Sequence, residues 1–144
     1  SILYAMVAHN AGDAALREPL DVQRALAMSA IAVDVAPRTL LADSRQMGFL
    51  WSTRAMALLL GGDASGALTA ALRSSAIFQL SVKRSIPMHA EAELIAALAE
   101  FRLGRLSAAR ARLVALGPEI DRVNPQSRAL EFARANQILP GALQ

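Results

Sequence analysis

The sequence predicts an all-α chain, and three observations carry that expectation. Alanine and leucine dominate, β-branched and aromatic residues are sparse, and proline and glycine cut the chain into helix-length pieces. Alanine and leucine lose least on entering a helix, whereas aromatic and β-branched side chains suit a pleated sheet. Hydrophobic residues make up 54% of the sequence and aromatics only 4%. No run alternates polar and apolar residues convincingly over strand length.

The elements follow in order from their punctuation. "ILYAMVAH" (2–9) reads as a short first helix ended by the group Asn10-Ala11-Gly12-Asp13. Pro19 suits the first turn of a second helix, where its missing N–H costs little, and Pro37 stops that helix. A third helix is expected from about Leu41 to Leu60, with Asp43 or Ser44 near its start and Gly61-Gly62 at its end. Asp63 is a candidate cap for a fourth helix reaching about Val82. Ser85-Ile86-Pro87 announces a fifth, running to Leu103 before Gly104 breaks it. A sixth reaches about Leu116, where Gly117-Pro118 interrupts. Asn124-Pro125 is the start signal for a final helix ending near Ile138, ahead of Pro140-Gly141.

Laid on itself with a shift of 42 residues, the chain repeats one stripe three times. Val22, Ala64 and Leu106 align, followed by Ala25, Ala67 and Ala109, then Ser29, Ala71 and Leu113. Ala32, Ser74 and Leu116 come next, and Ala36, Phe78 and Ile120 close the series. The steps of three and four residues trace one face of a helix. In the preceding helices Ala55 matches Ala97 and Leu59 matches Phe101, while Trp51 falls opposite Glu93. Small residues at Ala25, Ala67 and Ala109 would let paired helices approach closely. About three antiparallel hairpins plus a C-terminal helix, stacked as a solenoid within one domain spanning 1–144, are therefore expected.

At "WSTRAMALLLGGDASGALTAALRSS" (51–75) the chain resembles a tetratricopeptide repeat. Trp51, Ala55, Leu58, Gly62, Asp63, Ala67 and Ala71 stand in order at that family's aromatic, small, bulky, turn and second-helix positions. "LIAALAEFRLGRLSAARARLVAL" repeats the pattern through Ala97, Gly104, Leu106, Ala109 and Leu113. It departs at Glu93 and Glu100, where an aromatic and another bulky residue belong. The resemblance covers 48–123, and 19–37 fits only the second-helix half. The family period is about 34 residues, so a step of 42 implies longer helices or connections. Longer steps resemble the helical arrays of large bacterial LuxR-type regulators, although no nucleotide-binding or helix-turn-helix motif stands in the chain. The resemblance implies a right-handed solenoid whose first helices line a concave face. It directs Phe49, Ser52, Met56 and Leu60 of one unit, and Glu91, Leu94, Leu98 and Arg102 of the next, toward that face. The hydrophobic core is the competing assignment for the same residues. Their apolar character suits an amphipathic helix or extended apolar peptide better than a carboxylate clamp.

Composition bounds the function classes. Lys83 is the only lysine among 15 basic residues, which with the alanine content points to a GC-rich bacterial genome. The net charge of +3 is modest and the arginines are scattered, so direct nucleic-acid binding is not expected. Without cysteine there are neither disulfides nor thiolate metal sites, which suits a reducing cytoplasm. Apolar runs such as "AMALLL" fall far short of a membrane span. The chain starts at Ser1 rather than methionine, as an excised or processed piece of a longer polypeptide would.

Three features invite chemistry. "GGDASG" has glycines but no preceding strand and no Lys-Ser/Thr pair, and Asp63 would repel a phosphate, so it reads as a hairpin turn. His89 and Glu93 are four residues apart, yet His9 is the only other histidine and a metal needs three or four ligands. Arg102, Arg105, Arg110 and Arg112 read as a solvated surface, with Arg102 complementing a helix end. No serine sits in a G-x-S-x-G elbow. The expectation is a non-enzymatic scaffold in a larger bacterial protein, without metal or cofactor, recognising a protein, a peptide or a neighbouring domain. A sensory segment of a transcriptional regulator, responding to a small ligand or intramolecular contact, is the rival. Uncapped solenoid ends favour homo-oligomers.

Overall fold

A computed structural model describes residues 2–17, 19–38, 44–80 and 86–138. Among these the protein is all-α: α1 (Ile2–Ala15), α2 (Val22–Val35), α3 (Arg45–Leu60), α4 (Ala64–Leu80), α5 (Ile86–Arg102), α6 (Leu106–Leu116) and α7 (Arg128–Ala135). Short 3₁₀ turns occupy Ala36–Arg38 and Gly117–Arg122. The expected residues Leu41, Asp43, Val82, Ser85 and Pro140-Gly141 lie outside the described residues. No helix among the described residues is long and apolar enough to cross a membrane.

The repeat is visible in the helix starts. Val22, Ala64 and Leu106 open α2, α4 and α6, each 42 residues after the last. Ala25, Ala67 and Ala109 are all buried, as are Ser29, Ala71 and Leu113 and then Ala32, Ser74 and Leu116. The caps repeat too. Asp21 accepts from the Arg24 N–H at 3.0 Å, and Asp63 accepts from the Gly66 N–H at 2.8 Å. Each satisfies one orphan donor of the first turn. Gly62, at φ +91°, makes the left-handed step between α3 and α4 that a side chain would resist.

Two boundaries differ from expectation. α1 does not stop at Asn10–Asp13 but continues to Ala15. Gly12 lies inside the helix because a Cβ there would come within 3.3 Å of the Ser29 backbone nitrogen on α2. Its role is close approach, not termination. The last helix begins at Arg128 rather than Asn124, because Asn124 builds a turn: its Oδ1 accepts from the Gln126 N–H at 2.9 Å. Ser127 then caps α7, accepting from the Ala129 N–H. Pro19 likewise precedes α2, which Asp21 caps.

Each helix packs on the next from α1 to α6, and α3 also touches α1 and α5. Gly48 brings α3 onto α4, where a Cβ would lie 2.8 Å from the buried Phe78 ring, and Ser74 donates to the Gly48 carbonyl at 2.7 Å. One cluster centred on α3–α7 forms most of the core. A second, with Ala5, Ala32, Met47 and Leu50, lies under α1 and α2, and half-buried Trp51 touches both.

The departures at Glu93 and Glu100 have a structural cause. Arg112 of α6 donates to both carboxylates, at 3.0 Å to Glu93 and through Nε to Glu100. In the preceding pair Arg73 of α4 lies 4.7 Å over the ring of Trp51, the residue paired with Glu93. An ion network thus stands at Glu93, the position that the 42-residue shift pairs with Trp51. Arg112 is consequently half-buried rather than solvated, which corrects the expectation for that arginine.

Candidate functional site

A cavity of about 500 Å³ opens between α1, α3, α5 and the segment leading into α7. Its walls follow from helical spacing. α1 contributes His9, Asp13 and Leu16, α3 contributes Phe49, Ser52 and Met56, and α5 contributes Met88, Glu91 and Ile95. Each trio keeps to one face of its helix. Asn124, Gln126, Ser127, Arg128 and Glu131 line the remaining side. Arg128 holds that segment in place, its Nε donating to the Leu16 carbonyl at 2.8 Å.

Glu91 is the focus of the charge distribution. Its carboxylate accepts from Ser52 Oγ at 3.4 Å and from the Ser127 hydroxyl. Burial pushes the carboxyl above its ordinary value of 4.5, opposed by those two hydrogen bonds and reinforced by the Asp13 charge. No basic partner for Glu91 occurs among the described residues. The two arginines of the wall are engaged elsewhere: Arg17 with Asp13 at 2.9 Å, and Arg128 with Glu131 at 3.0 Å. Among the described residues three carboxylates and two guanidiniums therefore line the cavity, and the excess charge belongs to Glu91.

His9 adds a second buried polar group. Its Nδ1 is withdrawn from solvent and has no hydrogen-bond partner among the described residues. Desolvation lowers its pKa from 6.5, against a raising contribution from Asp13, so the ring favours its neutral form. Among the described residues no group of three or more metal-ligating side chains forms.

The sequence-expected residues divide. Phe49, Ser52, Met56 and Glu91 converge on the cavity. Leu94 and Leu98 have no exposed surface and belong to the core, so they are corrected from partner contacts to packing residues. The cause is that α5 is packed on by α4, α6, α3 and α7, which leaves only its Met88–Glu91–Ile95 face toward the cavity. Leu60 is half-buried against the core, and Arg102 lies 4.9 Å over the Phe132 ring of α7.

Sequence reasoning missed the α1 wall and the 124–131 wall. The spacing of His9, Asp13 and Leu16 on a helix could have revealed the first. The second had no local signal, because Arg128 and Leu16 meet across 112 residues. Compared with protein-family models, with curated proteins and with solved structures, the chain finds no match in any of the three.

Proposed function

We propose that this chain is a non-enzymatic helical-repeat scaffold of a larger bacterial protein, binding a protein or peptide segment along its first helices. In this reading α1/α2, α3/α4 and α5/α6 are three antiparallel hairpins of a right-handed, tetratricopeptide-like solenoid. One observation carries it: alternate helices α1, α3 and α5 line one cavity. The helix starts spaced by 42 residues support the same repeat. The occupant is a separate protein or a neighbouring domain of the same polypeptide.

Selection from a displayed random-peptide library against the purified protein tests the proposal. Peptides enriched over a helical control protein should lose binding to a Ser52→Gln variant of unchanged melting temperature, because the longer side chain intrudes on the cavity. No enrichment, or equal binding to the variant, contradicts it. A second reading, a regulatory segment that senses a small ligand, is favoured by the cavity volume of about 500 Å³, which suits a compact molecule. Under that reading small molecules, and not peptides, raise the melting temperature.

A further inference from the structure

The charge arrangement of the cavity distinguishes among ligand chemistries. An anion would need a free cation in the wall, yet of the wall's cations among the described residues Arg17 is committed to Asp13, and Arg128 to Glu131 and the Leu16 carbonyl. A purely apolar ligand would seal Glu91 away from water with only two hydroxyls for company, and an isolated buried carboxylate is costly. A cation reverses that cost, because an opposite charge within reach favours the ionised form.

We infer that the cavity between α1, α3, α5 and α7 takes a compact ammonium group carried on an apolar stem, with the Glu91 carboxylate as its counter-ion. This rests on the binding-scaffold reading and specifies what that scaffold recognises. An ammonium presents three N–H donors and accepts nothing. Glu91 supplies carboxylate oxygens, and the Ser52 and Ser127 oxygens beside it supply further lone pairs. His9, whose ring favours the neutral form, adds no competing positive charge. Phe49, Met56 and Ile95 form the apolar wall that suits the stem, and methionine adapts to irregular shapes. The ammonium can come from a lysine side chain of a peptide or from a free amine.

Isothermal titration of the intact chain separates these. Phenethylamine should bind at least tenfold more tightly than 2-phenylethanol, and 3-phenylpropionate more weakly still. Equal or tighter binding of the alcohol or the anion, or no binding of the amine, overturns the inference without recourse to any variant. Glu91→Gln, with an unchanged circular dichroism spectrum, should erase the preference for the amine while leaving the alcohol's affinity within twofold. If that variant does not fold, Ser52→Ala should weaken the amine alone, and an unchanged amine affinity counts against the inference. In the peptide arm, acetyl-Ala-Lys-Ala-amide is compared with its norleucine counterpart. Binding of the lysine peptide alone supports both claims. Binding of phenethylamine but of neither peptide keeps the ammonium site and removes the peptide scaffold. Equal binding of both peptides keeps the scaffold and removes the ammonium site.

Discussion

Replacing Arg112 by methionine strands two carboxylates at once. Glu100 is only 6% exposed along its side chain and Glu93 is 19% exposed, while Arg112 itself is 23% exposed. Removing one partner of a buried pair costs roughly 3–5 kcal/mol, because the remaining charge has lost both its counter-ion and its water. Glu93 can still reach solvent, so Glu100 carries most of the penalty and the expected loss is about 3 kcal/mol. Methionine retains much of the apolar stem, which limits any added packing loss. At about 4 °C per kcal/mol for a domain of this size, the melting temperature should fall by about 12 °C. Urea unfolding at pH 7, followed by circular dichroism, reads the difference directly. Adding Glu100→Leu and Glu93→Gln to Arg112→Met should recover most of the loss, because apolar replacement of a whole buried ion network is often neutral or better. A loss under about 0.5 kcal/mol for Arg112→Met, the range of ordinary surface changes, would refute the assignment of this network as the tie between α5 and α6.

Three further outcomes follow from the same structure. Gly48→Ala should destabilise by about 1–3 kcal/mol, since the new methyl lies 2.8 Å from the ring of Phe78, itself 1% exposed; denaturant unfolding measures it. Glu91 has a raised pKa when folded, so the folded state holds its proton more firmly and this contribution is complete below pH 4.5, then lost as pH rises. Glu91→Gln should therefore melt above the wild type at pH 7, with the gap closing as pH falls toward 4.5; a gap independent of pH contradicts the shift. His9 has a lowered pKa, so its contribution is complete above pH 6.5 and lost as pH falls through the folded value. Its ring resonances should titrate with a midpoint below 6.5, and His9→Gln should reduce the loss of stability in acid.

The fold was legible where local chemistry decides it. Asp63 caps its helix, Gly62 turns the chain, and the buried stripe from Ala25 to Leu116 repeats as helical spacing requires. Gly12 misled because a glycine that ends a helix and one that admits a neighbouring helix look alike in sequence; only the Ser29 backbone beside it tells them apart. Glu93 and Glu100 looked like faults in a repeat because their partner, Arg112, lies on the following helix. Half of the cavity was legible for a related reason. Phe49, Ser52, Met56 and Glu91 follow from helical faces, but Leu94 and Leu98 continue the Glu91 spacing into a face that α5's neighbours cover. Ser127 and Arg128 reach the cavity only through tertiary packing, which no local pattern encodes.

In the proposed function α1, α3 and α5 share one binding face closed by the 124–131 segment. An amide-resolved NMR titration with a peptide selected against the protein tests it most directly. The largest shifts should cluster at Asp13, Ser52, Glu91 and Ser127, with little change at the exposed Leu72 of α4 and Val114 of α6. Shifts concentrated on α2, α4 and α6, with those four amides unmoved, would contradict it.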